Sequence, residues 1–594
     1  MMTESDVHVP RAGAPAREDG AAESGTEFVR RLRRSATDAA GRGIRFYRSP
    51  VDVAEVSYVD LDADARARAV EFARAGLTPG DVAILAFEPG LPFVRALLAC
   101  LYAGVAAAPV PITAMRNADA VRQRLLAILE DAGAKAVLTE TGALDGLGLA
   151  GETSIADAAV IAVDGPAAAS AEDWSMPDID ESALAILQYT SGSTGLPKGV
   201  MVSHANLYAN QQAIGGIVGM TADSVTVGWL PHYHDMGLIG QILQPLFTGA
   251  MLHMTSPSQF LRRPVLWLRL ISEHRATHTV GPDFAFALCS RLVTDDQLAE
   301  LDLSSLQTVI TGAEPVRIDT LDAFTARFAA AGFRGEAFVP AFGMAETTLL
   351  ITAHRDTVPP RAIVVSAEAL ERDEIAAASP GERTAELVPC GAPGAGMEIA
   401  IVDPATAMEL RDGRIGEIWV RGTSVTQGYW RRPDETAAEF GATLAGVADE
   451  VYLRTGDLGA MVDGELVITG RLKDLIIVRG RNIYPQDLEH SAAPLLGAGC
   501  LSAAFERPGV APEVGIVAEV DPSATAEDLD ALATALRARV ATEFTLPALG
   551  VALIRKGTLP RTTSGKVQRA LTRRLLHQQR LQLVHLDGFE TVPA

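Results

Sequence analysis

Cysteine is scarce in this 594-residue chain: Cys100, Cys289, Cys390 and Cys500 are scattered, with no Cys-x-x-Cys pair. That spacing builds neither a zinc site nor a disulfide framework, so reduced thiols in the cytoplasm are the expectation. Positive charge is also short. Lys and Arg number 51 against 74 Asp and Glu, a net charge of −23, which argues against nucleic acid as a partner because phosphate neutralisation needs a basic face. A membrane-length apolar run is missing as well. Residues 96–115 carry no charge, but Gly104, Pro109 and Pro111 interrupt them. They read as the end of a buried helix over 92–103 followed by a strand over 105–110. Residues 1–27 lack an apolar signal core and mix both charges with Ala, Gly and Pro, the pattern of a disordered tail. No stable membrane anchor is expected, and no internal repeat is present.

The 48% of hydrophobic residues fits a globular core, and the length allows more than one domain. Up to about residue 350, apolar runs at 82–87, 136–139, 277–281 and 306–311 alternate with amphipathic helical stretches. This pattern predicts an α/β fold of parallel sheets with helices on both faces. From 398 to 420 it changes to short alternating strands, with Asp-Gly turns at 412–413 and 463–464, which predicts a small antiparallel, β-barrel-like subdomain. A boundary is expected near residues 470–474. It divides a large N-terminal domain over 28–472 from a smaller α+β domain over 473–594, whose helix over 526–544 is capped by Thr525.

The densest chemistry lies at 188–199, Gln-Tyr-Thr-Ser-Gly-Ser-Thr-Gly-Leu-Pro-Lys-Gly. Its three glycines permit turns that aim several N–H groups at one anion. Thr190, Ser191, Ser193 and Thr194 add hydroxyls around Gly192 and Gly195, and Lys198 adds a positive charge. An apolar strand over 183–187 precedes the loop, and a helix over 204–217 entered through Ser203 follows it. A Walker loop needs Gly-Lys-Ser/Thr in succession. Here Leu196 and Pro197 separate Gly195 from Lys198, so this is a phosphate loop of another kind.

Further strings follow in order. Residues 229–238, Trp-Leu-Pro-His-Tyr-His-Asp-Met-Gly-Leu, set His234 beside an acid; alone such a pair is commonly structural, but downstream of the loop it is a candidate site wall. Thr-Gly-Ala-Glu-Pro at 311–315 and Pro-Ala-Phe-Gly-Met-Ala-Glu at 340–346 each follow an apolar strand, so both lie where open α/β sheets bind ligands. Tyr-Leu-Arg-Thr-Gly-Asp at 452–457, Gly-Arg-Leu-Lys-Asp at 470–474 and Leu-Pro-Arg-Thr-Thr-Ser-Gly-Lys at 559–566 complete the set.

Over about residues 50–580 this ordered set resembles the adenylate-forming superfamily. The resemblance implies that the 190–198 loop, Gly312, Ala313, Glu314, Phe342, Gly343 and Met344 bind ATP, with Phe342 stacked on adenine. It implies Mg²⁺ on Glu346, ribose on Asp457, nucleotide oxygens on Arg471, a hinge at Lys473, the adenylation lysine at Lys566, and His234 in the catalytic wall. Tyr-His-Asp-Met-Gly at 233–237, the 256–264 string with Trp267, and the long interval before Cys390 are similar to the fatty-acyl-AMP ligases. The extra segment over 361–386 looks characteristic of those ligases; a tolerated surface insertion is its plainer reading.

What the resemblance implies is activation of a fatty acid to acyl-AMP with release of pyrophosphate. Transfer to the phosphopantetheine thiol of an acyl carrier protein would follow. Trp229, Met236, Ile239, Phe284 and Met344 are the expected lining of the acyl tunnel. An acyl-CoA synthetase, sharing the first half-reaction, and an inactive acyl-binding paralogue remain as alternatives; intact Glu346, Asp457 and Lys566 stand against the second.

Overall fold

The computed structural model describes residues 25–112, 118–146, 154–155, 157–190, 197–447, 450–497, 499–507, 513–562 and 565–589. Val82–Phe87 is buried at every position, so its side chains are apolar without alternation, as a strand covered on both faces requires. It lies inside a seven-stranded sheet whose spatial order is Ser154–Ile155, Ala158–Ala162, Ala136–Thr139, Val82–Phe87, Ala106–Pro111, Leu184–Thr190 and Lys198–Ser203. The inner strands run parallel, and Lys198–Ser203 closes one edge antiparallel to Leu184–Thr190. Lys198 therefore opens a strand that the sequence pattern did not reveal, and the expected helix follows it as His204–Val218 with Ser203 as its N-cap. Helix Leu91–Ala103 ends where Gly104 takes the left-handed φ of 68°. Among the described residues no helix is long and apolar enough to cross a membrane.

A nine-stranded sheet has Phe338–Gly343, Thr308–Thr311, His278–Gly281, Val225–Gly228, Met251–Thr255 and Gly43–Tyr47 as its parallel middle. Helix Glu27–Asp38 packs against helices Tyr58–Arg74, His204–Val218 and Gln244–Thr248, and buried Thr26 is its N-cap. Helix Glu27–Asp38 and its cap thus reach into the segment expected to be a tail; residues 1–24 lie outside the described residues. Met397–Val402, Gly416–Gly422, Leu453–Val462 and Glu465–Arg471 form an open antiparallel sheet rather than a barrel. Asp463 and Gly464, with φ of 51° and 83°, make its tight hairpin, as Asp-Gly in a type I′ turn does.

The C-terminal sheet is Ser502–Glu506, Val514–Val520, Leu549–Arg555 and Leu583–Asp587. One apolar cluster joins it to helices Pro485–Ala492 and Ala526–Glu543, and a second to residues around Arg569–His577. The inserted segment is a small hairpin, Ile363–Ser366 with Thr384–Leu387. It touches the C-terminal domain directly. Glu371 pairs with Arg481 at 3.3 Å and with Arg383, whose guanidinium lies 5.6 Å from the Phe544 ring. Asp373 Oδ1 accepts from Asn482 Nδ2 at 2.7 Å.

Helix His204–Val218 begins with a capping box. Ser203 Oγ accepts from Asn206 N at 3.1 Å, and Asn206 Oδ1 accepts from Ser203 N at 3.1 Å. Asn206 Nδ2 also donates to the Thr423 and Val425 carbonyls at 2.9 and 3.0 Å, tying the helix start to the antiparallel sheet. Ser203→Ala should cost about 1 kcal/mol, read as a lower urea midpoint followed by tryptophan fluorescence. An unmoved midpoint would show that the cap does not hold this junction.

Candidate active site

The carboxyl ends of the parallel strands, the antiparallel sheet and the C-terminal domain surround one cavity of about 1430 Å³. Thr190, Lys198, His234, Gly312, Ala313, Glu314, Phe342, Gly343, Met344, Glu346, Asp457, Arg471, Lys473 and Lys566 all line it. Ser191, Gly192, Ser193, Thr194 and Gly195 lie outside the described residues; the strands flanking them pair Thr190 with Lys198.

Backbone strain concentrates at this rim. Ala313 takes φ of 65°, a left-handed conformation uncommon outside glycine. Its neighbour Gly312 has no room for a side chain, since a Cβ would stand 2.6 Å from the Ala341 carbonyl oxygen. Thr348 adopts φ of 69° and ψ of −61° just after the Glu346 turn, a rare and strained γ-turn geometry for a β-branched residue. It is held there by Thr348 N donating to Ala345 O at 2.9 Å and its hydroxyl donating to Ser424 O at 2.8 Å.

Charge is arranged in two groups. In the first, His234 Nδ1 lies 2.6 Å from Asp235 Oδ1. Arg471 Nε donates to Asp457 Oδ1 at 2.9 Å across the paired strands. Burial pushes the Asp457 carboxyl up, opposed by Arg471 and Lys566. Burial also pushes Glu314 up to about 7, although its carboxylate accepts from Phe284 N at 2.7 Å. Lys566 stands among these acids. Burial and Arg471 lower its pKa, while Asp235, Glu314 and Asp457 oppose that shift. Its surface stays accessible because it projects into the cavity rather than into packed core.

The second group was not legible in the sequence. The Tyr429 hydroxyl bridges Glu346 Oε1 at 2.9 Å and Glu439 Oε2 at 2.7 Å. One hydroxyl hydrogen cannot serve two carboxylates at once; burial raises the Glu346 pKa, and the Tyr429 hydrogen bond opposes that shift. Lys198 Nζ lies 2.5 Å from Glu435 Oε2, 3.3 Å from Glu439 Oε1 and 4.5 Å from the Tyr429 ring centroid. Burial opposes its charge, but these carboxylates hold its pKa above the ordinary lysine value. Tyr429 arrives because residues 428–430 lie alongside 199–201, with Met201 N donating to Gly428 O at 2.9 Å and Trp430 N to Gly199 O at 2.8 Å. The only local signal was an aromatic pair just before the helix that Pro433 opens.

Two expected tunnel residues are off the wall. Trp229 stacks on Phe260, with ring centroids 3.8 Å apart and planes 9° apart, deep in a second core. Ile239 is fully buried on the other side of its helix. Met236, Phe284 and Met344 do line the cavity, and its apolar branch continues along Ile214, Ile217, Val218, Val280 and Ile310. Met236–Leu243 is a π-helix, a form frequent at functional sites.

The Glu314 shift has a measurable sign. A raised carboxyl pKa means the folded state holds its proton more tightly, so this contribution is full at low pH and is lost as pH rises toward about 7 and beyond. Without ligands, Glu314→Gln should raise the melting temperature relative to wild type more at pH 8 than at pH 5. Equal differences at the two pH values would contradict the assignment.

The AMP-binding enzyme family matches residues 33–430. The medium-chain-fatty-acid–acyl-carrier-protein ligase JamA of Moorena producens is 41% identical over 533 residues, covering 88% of this chain and 90% of that protein. A solved structure from studies of the fatty acyl-adenylate ligases of E. coli and L. pneumophila superposes with a TM-score of 0.84 at 32% identity, covering 93% of this chain and 98% of the other. The L. pneumophila fatty acyl-adenylate ligase in complex with acyl adenylate and pyrophosphate gives 0.73 at 33% identity, covering 94% and 97%. The chain belongs to the AMP-binding enzyme family, in its fatty-acyl-AMP ligase branch.

Proposed function

We propose that this protein activates a fatty acid with ATP and passes the acyl group to the phosphopantetheine thiol of an acyl carrier protein in the cytoplasm. The observation that carries the reading is Lys566. It reaches from the C-terminal domain into the same cavity as Arg471, Asp457 and the strained Ala313 turn, beside an apolar branch suited to an acyl chain.

In the first half-reaction a carboxylate oxygen attacks the α-phosphorus of ATP, and the bond to pyrophosphate breaks. Negative charge grows on phosphate oxygens, so positioned cations supply the main stabilisation. Lys198, paired with Glu435 and Glu439, Arg471, paired with Asp457, and Lys566 are the cations this reading sets against the phosphates. Arg471 occupies Asp457 Oδ1, leaving Oδ2 for the ribose hydroxyls. Phe342 and the Gly312–Glu314 turn flank the adenine, and His234 closes the wall. In the second half-reaction the thiol sulfur attacks the acyl carbon, the bond to the AMP oxygen breaks, and AMP leaves.

Glu346 fits Mg²⁺. It is a buried carboxylate that lines the cavity and is steadied by the Tyr429 hydroxyl at 2.9 Å, and Mg²⁺ takes one or two carboxylates together with substrate phosphates. Bound there, Mg²⁺ would neutralise phosphate charge.

Between half-reactions the domain from residue 473 onward turns about the exposed Lys473, which lies in the turn between Glu465–Arg471 and Ile476–Val478. The contacts of Glu371, Asp373 and Arg383 with that domain restrict the rotation and disfavour CoA, whereas a carrier protein can add docking contacts of its own.

Lys566→Ala should slow ATP–pyrophosphate exchange by about 10²–10³-fold while thioester formation from supplied acyl-AMP persists. Exchange at the wild-type rate would remove Lys566 from the first step. The double variant Glu371→Ala/Arg383→Ala should raise transfer to CoA relative to transfer to holo carrier protein. An unchanged ratio of the two thioesters would show that the inserted segment does not select the acceptor.

A further inference from the structure

Among the described residues, the arginines that line the cavity are Arg124, Arg317, Arg383, Arg454, Arg471 and Arg569. Arg383 pairs with Glu371, Arg454 with Glu417 at 2.8 Å, Arg471 with Asp457 at 2.9 Å and Arg569 with Glu489 at 2.7 Å. Arg317 donates Nη2 to Gln486 O at 3.2 Å. Arg124 differs. It has no ion pair or hydrogen bond among the described residues, and its buried Nε is without a partner. Burial works against its charge, and the one group that opposes this is the Tyr233 phenol, itself pushed up to about 12 by burial and therefore neutral. Glu88 acts on Tyr233 but not on Arg124. A guanidinium withdrawn from water without a counter-charge is costly, and packing gives no reason to keep one at a cavity wall.

Arg124 belongs to helix Ala118–Ala132, which connects strand Ala106–Pro111 to strand Ala136–Thr139. Both strands run parallel to Val82–Phe87, so the helix runs back between them and its first half stands at their carboxyl ends. Its Val121, Leu125, Ile128 and Leu129 pack in one apolar cluster with Val110, Leu187 and Tyr189. The Tyr189 hydroxyl donates to Asp131 Oδ2 at 2.8 Å. Arg124 comes about two turns before Asp131 and lies about 10 Å farther along the helix axis toward those strand ends. Ala107 pairs with Ile186, which sets Pro111 level with Thr190, where the phosphate loop departs. Lys198, where the loop returns, pairs with Thr190. Gln188 Nε2 donates to Tyr233 O at 2.8 Å, which ties Tyr233 to the same strand end. Pro111, Arg124, Thr190, Lys198 and Tyr233 all line the cavity. The apolar branch crosses the other, nine-stranded sheet along Val280 and Ile310, so a chain bound there lies over a different sheet from the one that carries Arg124.

We propose that Arg124 binds the terminal phosphates of ATP and holds pyrophosphate as it leaves. A planar guanidinium matches two phosphate oxygens at once. As the carboxylate oxygen bonds to the α-phosphorus, the bond to the bridging oxygen breaks and its electron pair stays with pyrophosphate. The charge then grows beside an arginine that no described carboxylate neutralises. Lys198, at the return of the loop, already pairs with Glu435 and Glu439. The proposal rests on the fatty-acid activation reading above.

The test measures binding of pyrophosphate with Mg²⁺, and separately of AMP, by calorimetry on the full chain without fatty acid, in wild type, Arg124→Met and Arg124→Lys. Arg124→Met should weaken pyrophosphate binding by about 10–100-fold, the span for a lost hydrogen bond to a charged group, and leave AMP binding unchanged. Arg124→Lys should recover part of that loss. ATP–pyrophosphate exchange should fall with the affinity while thioester formation from supplied acyl-AMP persists, a split that a misfolded variant would not show. No pyrophosphate binding by wild type, unchanged affinity in Arg124→Met, or equal loss of pyrophosphate and AMP in both variants overturns the assignment. Slower transfer from supplied acyl-AMP with pyrophosphate binding intact also overturns it, because the cation would then serve the phosphopantetheine phosphate. If no fatty acid supports exchange in wild type, the activation reading falls, and the binding measurements still decide the role of Arg124.

Discussion

The carboxylates that sustain the charge of Lys566 come from three separate places: Asp235 before the π-helix, Glu314 after a parallel strand, and Asp457 on the antiparallel sheet. No one of these elements lies in the domain that supplies the lysine. Burial and the Arg471 guanidinium work against its charge, and the acids sustain it. The placement of the C-terminal domain is thus tied to the charge in the cavity.

The large domain is the fixed partner. Its strained residues, Ala313 and Thr348, sit at the ends of adjacent parts of one sheet, where hydrogen bonds and tight backbone contacts hold conformations that a free chain would leave. The Tyr429 bridge between Glu346 and Glu439, with Lys198 beside it, locks the edge strand after the phosphate loop to the antiparallel sheet.

Much of this was legible from local pattern. Val82–Phe87, the Ser203 and Thr525 caps, the helix ending at Gly104 and the Asp463-Gly464 hairpin all follow from residue type and spacing. Long-range pairing was not. Lys198–Ser203 became a strand because Leu184–Thr190 offers it an edge, and Tyr429 reached Glu346 through pairing across more than two hundred residues of sequence. Trp229 looked like tunnel lining because aromatics suit acyl chains, yet Phe260 covers its face. The full burial of Gln211, Gln241 and Gln244 had no signal at all, since polar residues in a helix read as solvent-facing until tertiary packing buries them.

The central claim is attack of a fatty carboxylate on the α-phosphorus, followed by cleavage of the acyl carbon–oxygen bond. Fatty acid carrying oxygen-18 in its carboxylate, incubated with ATP, Mg²⁺ and holo carrier protein, tests both steps in one product. Mass spectrometry should find one labelled oxygen in AMP and none in pyrophosphate. Unlabelled AMP, or label in a phosphate-containing product other than AMP, would contradict the account.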